Sequence, residues 1–252
     1  MTDHADPPPP AFYAAPSGAT RRAWADWWVL LHPPYTLWHL SYVAIGATLA
    51  PRFDGGRLAA TLVAFLLAVG VCAHALDELH DRPLRTAIPG WLLIGAATAS
   101  LAGAVTLGIV GLWRVGPGLA VFIFVGVALN CGYNLELLGG RLHNDVTFAA
   151  AWGSFPVMTA YYAQAETLRL PTLAAAVAAY WLSIAQRSLS TPARTLRRRV
   201  AAVDGTVTYG DGRTASLSTS GLLAPLEAAL KATAGGLVAL AVALVVYRIS
   251  NP

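Results

Sequence analysis

Seven apolar blocks of about 15–22 residues, separated by short polar stretches, decide most of what this chain can fold into. Each approaches the roughly 20 residues that a helix needs to cross a hydrocarbon layer about 30 Å thick. They lie near 35–50, 58–79, 89–112, 117–137, 146–163, 172–190 and 224–247. Only 12% of the 252 residues are charged and 56% are hydrophobic, where a soluble domain carries about 25% charge. The pattern predicts an all-α fold, a polytopic membrane bundle of about seven transmembrane helices. The blocks form a single membrane domain over 21–252, preceded by a Pro- and Ala-rich tail over 1–20 with the composition of a disordered segment. Met1–Pro10 has no apolar stretch of the kind a cleavable signal peptide needs.

Seven spans divide the arginines unequally. The N-terminus and the second, fourth and sixth loops hold eleven, from Arg21 and Arg22 to Arg213; the opposite side holds Arg52, Arg57, Arg114, Arg169 and Arg248. That bias predicts a cytoplasmic N-terminus in a plasma-membrane protein. The net charge of +4 then reports orientation and contact with anionic membrane lipids rather than nucleic acid. Trp24, Trp27 and Trp28 beside Asp26 suit a segment lying in the membrane interface. The sixth loop, expected over 193–222, carries Asp204-Gly205 and Gly210-Asp211-Gly212 around β-branched residues, which predicts a small hairpin. Its Arg194–Arg199 run reads as an anionic-lipid anchor or a solvated stop-transfer run.

The polar residues concentrate in a few places. His74, Asp77 and Asp81 are spaced i, i+3 and i+7, so a helix would stack all three on one face. Paired carboxylates at Asp77 and Asp81 could hold Mg²⁺, which takes oxygen ligands and bridges to phosphates. His74 is a further candidate ligand, although imidazole favours softer ions. Arg82 and Arg85 follow at once and could pair with diphosphate oxygens. Salt bridges among these same residues at a helix end are the alternative. A second group, Glu136, Arg141, His143 and Asp145, follows Gly139-Gly140, where Asn144 or Asp145 can cap the next helix.

The stretch from Ala73 to Pro89 resembles the first aspartate-rich motif of the UbiA-type intramembrane prenyltransferases, written N-D-x-x-D-x-x-x-D, with Arg82-Pro83 and Ile88-Pro89 echoing the loop that follows. Leu31-His32-Pro33-Pro34 is similar to that family's lead into its first helix, and Tyr133-Asn134 with Arg141–Asp145 to its stretch between helices four and five. The resemblance covers roughly residues 30–190. It implies a UbiA-like bundle that moves a polyprenyl group from its diphosphate to an acceptor with Mg²⁺. Asp77, Asp81, Arg82 and Arg85 would be catalytic, with Asp77, Asp81 and His74 at the metal. Tyr133, Asn134, Glu136, Arg141, Asp145 and Arg187 would bind the polyprenyl diphosphate or other isoprenoid lipid. Three departures accompany it: Ala73 and His74 stand where the motif has Asn-Asp, Ser183–Pro192 holds no carboxylate where the family has a second acidic motif, and seven spans replace nine. A non-catalytic relative that binds an isoprenoid or scaffolds a membrane complex is the alternative.

Overall fold

The computed structural model describes residues 23–80 and 82–251; the expected tail over 1–20 lies outside them. A short helix, α1 (Ala23–Leu31), precedes seven longer ones: α2 (Pro33–Thr48), α3 (Gly55–Leu79), α4 (Gly90–Val115), α5 (Leu119–Asn134), α6 (145–165), α7 (Leu170–Arg198) and α8 (Thr219–Ser250). Each of α2 to α8 coincides with one apolar block of the sequence. α3, α4 and α8 are individually long and apolar enough to cross a membrane. Trp91 and Trp113 near the ends of α4 are 71% and 83% exposed. They are about 33 Å apart at 1.5 Å per residue, the separation of two interfacial aromatic belts.

Local chemistry sets the helix starts. Asp54 accepts from the Gly56 and Arg57 amides at 2.7 and 3.0 Å to cap α3, and Ser218 caps α8 through the Gly221 amide. Of the two candidate caps at α6, the chain uses Asn144, whose Oδ1 accepts from the Thr147 amide at 2.8 Å. This leaves Asp145 for other work.

α2 is the central helix, packed against α3, α6 and α8, and most of its side chains are buried. Its closest approach is at Gly46, which lies directly on the backbone of Val157 in α6. Around it, Val43, Ala47, Phe65, Val69, Tyr133 and Trp152 make one continuous core. α3 and α6 each widen into a π-helical segment, Leu66–Ala73 and Ala149–Ser154. Such segments disturb the regular carbonyl ladder and recur at functional sites. Polar side chains take the carbonyls here: the Asn130 amide donates to Ala68 O at 2.8 Å, and the Nδ1–H groups of His74 and His39 donate to Gly70 O and Trp152 O at 3.1 and 2.9 Å.

Successive helices reverse direction, so the bundle has two distinct ends. At one end Arg57 donates to Ala163 O, Gln164 O and Arg114 O and pairs with Glu166, satisfying last-turn carbonyls of α6 and α4. Arg248 does the same for Ala50 O at 2.8 Å. At the other end α1 presents Trp24 and Trp28 outward and buries Leu30 against Cys72, Ile88 and Leu93. Its Asp26 accepts from the Ala87 amide at 2.9 Å.

Two expectations change. α3 ends at Leu79 and His80 turns to extended backbone, so the helix does not carry the His74–Asp77 face on to position 81. α7 continues through Pro192 to Arg198, so the expected loop over 193–222 shrinks to 199–218, and Arg194 is helical rather than part of a loop anchor. That loop holds a hairpin of β1 (Thr206–Thr208) and β2 (Thr214–Ser216), paired Thr206 to Ser216 and exposed throughout.

Candidate functional site

At the end of the bundle carrying His80, polar side chains from five helices cluster around one chamber-like region. α3 contributes His74 and Asp77 from its last turns. α2 contributes His32 at its N-terminus, where the ring lies 5.7 Å from that of His74. α5 contributes Tyr133, stacked on His143 at 4.4 Å. α6 begins with Asp145, which Arg187 of α7 grips through Nε and a terminal nitrogen at 2.8 and 2.7 Å. Arg187 also lies over the Phe148 ring at 5.0 Å. Arg194 stands seven residues along α7 and on the same face.

These groups converge. His143, Arg194, His80 and Arg187 act electrostatically on Asp77, and Arg187, Asp77, Arg194 and Asp145 act on Tyr133. Burial, with the nearby charges of His74, Arg194 and Arg198, holds the His32 imidazole well below its ordinary pKa, so that ring is neutral at pH 7. At the mouth Glu136 stands 3.8 Å from both His80 and His143.

Of the other residues expected at the site, Arg82 and Asn134 have partners elsewhere. Asp81 lies outside the described residues. Arg82 adopts a left-handed backbone with φ 49° and donates to Ile88 O at 2.6 Å, bracing the loop after α3. Arg85 sits in the same loop, also left-handed, with φ 52°. Arg141 is exposed in the turn before α6. The Asn134 amide is used within α5, donating to Asn130 O and Oδ1 at 2.8 and 2.7 Å.

Three contributors went unread in the sequence. Glu78 is fully buried; its carboxylate accepts from the Leu84 amide, the Thr86 amide and the Thr86 hydroxyl at 2.9, 2.8 and 2.9 Å. It folds the 80–89 loop across the chamber's edge. His32 and His39 are seven residues apart, as are Arg187 and Arg194. That spacing was the available signal for His39 and Arg194.

Among the described residues, which do not include Asp81, the donors are a poor match to Mg²⁺. Among the described residues no three His, Cys, Asp or Glu side chains gather as a metal site. Asp145 is taken by Arg187, Glu136 lies between two imidazoles, and Arg187 and Arg194 act electrostatically on Asp77. Mg²⁺ requires several hard oxygen ligands.

Beside the chamber, an apolar groove of about 460 Å³ runs between α3, α4, α5 and α6, lined by groups such as Ala64, Val105, Ile123, Val127 and Phe155. Its lining on α3 spans 56–69, about 20 Å at 1.5 Å per residue. The inner end reaches Asn130 and Trp152. Trp152 also bounds the chamber: its carbonyl holds His39 and its ring meets Tyr133 edge-on at 6.0 Å. Chamber and groove therefore share a wall. No family model matches the chain, nor does any curated protein or solved structure.

Proposed function

We propose that this chain is a UbiA-like intramembrane protein of seven spans, with a cytoplasmic N-terminus in the plasma membrane. It takes a polyprenyl diphosphate, or a related isoprenoid lipid, and passes the polyprenyl group to an acceptor. One observation carries the reading. A cluster rich in arginine and histidine lies against an apolar groove across Trp152, an arrangement that suits a molecule with a charged head and a long apolar tail.

In this reading Arg187 and Arg194 neutralise the charge that develops on the departing diphosphate, a role that needs fixed cations in a water-poor site. The ring faces of Tyr133, Phe148 and Trp152 border the place where an allylic cation would form and favour it electrostatically. The groove keeps water from that cation. The poor match to Mg²⁺ favours a second reading, a non-catalytic relative that binds the same lipid without transferring it.

Replacing Ala64 by Trp inserts a large ring into the groove at a site distant from the chamber. Binding of radiolabelled geranylgeranyl diphosphate to protein in nanodiscs should weaken about tenfold or more, since steric overlap of this size costs a few kcal/mol. The variant's unfolding midpoint should stay near that of the parent. Unchanged affinity in Ala64→Trp, or no binding by the parent protein, would overturn the reading.

A further inference from the structure

We infer that the chamber binds a phosphate-bearing head group directly, without a divalent metal, through donors presented along one face of α7. The inference rests on the isoprenoid-lipid reading above and specifies how that site recognises its ligand.

Arg187, Ser190 and Arg194 fall at i, i+3 and i+7, so they line one stripe of α7. The Arg187 side chain is 16% exposed and already oriented by Asp145 and Phe148. Ser190 is 2% exposed, and its hydroxyl has no hydrogen-bond partner among the described residues. A buried hydroxyl left without a partner is costly and calls for a reason. An acceptor oxygen arriving between the two arginines supplies one. Nearby, the Tyr133 ring stacks on His143 and meets Phe148, the ring that Arg187 overlies.

Charge points the same way. Arg187 and Arg194 lie on one stripe of α7 with Asp145 and Asp77 among the carboxylates near them. A guanidinium meets phosphate oxygens with paired N–H groups in fixed geometry and is always charged. It can therefore hold a diphosphate where a carboxylate would need a bridging metal. The Ser190 hydroxyl adds a neutral donor, so three side chains on one stripe can contact one head group.

The test measures binding to the full-length protein in nanodiscs, using geranylgeranyl diphosphate, geranylgeraniol and inorganic diphosphate, each with excess EDTA and with Mg²⁺. Geranylgeranyl diphosphate should bind with the same Kd, within about twofold, in both conditions. Arg194→Gln should weaken it about tenfold or more, the loss expected for a charge-assisted hydrogen-bond pair. The same variant should leave geranylgeraniol binding unchanged, which also shows that the fold is intact. Inorganic diphosphate should bind more weakly than the prenyl form, because the head alone forgoes the groove. Loss of geranylgeranyl diphosphate binding in EDTA, or an Arg194→Gln effect equal for alcohol and diphosphate, would overturn the metal-free site and leave the lipid reading standing. Failure of both prenyl compounds to bind would instead remove the lipid reading itself.

Discussion

Glu78→Ala is expected to destabilise the protein by about 3 kcal/mol or more and to disorganise the loop that borders the chamber. Glu78 is fully enclosed, and its two carboxylate oxygens accept three hydrogen bonds from Leu84 and Thr86. Truncation leaves the Leu84 and Thr86 amides and the Thr86 hydroxyl unmatched, each at about 1–3 kcal/mol if it stays buried. The loop will relax toward water and recover part of that, so the sum is an upper bound. Glu78→Gln should be milder, because its amide oxygen can still serve Thr86 while its NH₂ opposes the Leu84 N–H. Thermal unfolding in a fixed detergent, with limited proteolysis of the 80–89 loop, distinguishes the three proteins. A Glu78→Ala variant with an unchanged midpoint and an uncut loop would contradict this assignment.

Gly46→Ala should be the most damaging single-methyl change in the bundle core. A Cβ at Gly46 would overlap Val157 O and lie 2.8 and 2.9 Å from Val157 Cα and C. Those are backbone atoms of a packed helix, so no side-chain rotation relieves the overlap. α2 and α6 must separate, and overpacking of this kind costs about 1–3 kcal/mol, sometimes more. Small residues at helix contacts in membrane proteins exist for this close approach. Gly95→Ala is the control, since nothing lies within 4 Å of a Cβ there. Fluorescence-detected size exclusion after graded heating should show early loss of the folded peak for Gly46→Ala and none for Gly95→Ala. Equal behaviour of the two would contradict the packing described for α2.

The helices were legible because apolar block length is a direct consequence of the medium: each of α2 to α8 falls where a block was read. The chamber was partly legible. His74, Asp77, Glu136, Asp145 and Arg187 are polar outliers at the edges of apolar runs, and a membrane bundle tolerates such groups mainly where they face its interior or water. What was hidden depends on contacts between residues distant in sequence. Gly46 reads like any other small residue; its partner Val157 is supplied by a helix far along the chain. Gly95 stands in a similar run of small residues, yet it faces open space. Arg194 fell in the expected loop, whereas α7 runs on through Pro192, a residue that ordinarily kinks or ends a helix. Arg82 looked like a diphosphate ligand until the left-handed backbone of the 80–89 loop turned it onto Ile88 O. Glu78, beside Asp77, lies about 100° around the helix from it and supports the loop, a distinction that adjacency in sequence does not convey.

The central claim is that one bipartite site holds the charged head of an isoprenoid lipid in the chamber and its tail in the groove. Photocrosslinking tests this most directly, using a polyprenyl diphosphate with a diazirine at the far end of the tail, bound to protein in nanodiscs and mapped by mass spectrometry. The account predicts adducts on groove residues such as Ala64, Val105 and Ile123, suppressed by unlabelled geranylgeranyl diphosphate. Adducts confined to outward-facing positions such as Trp181 and Leu240, or adducts that the competitor does not suppress, would contradict it.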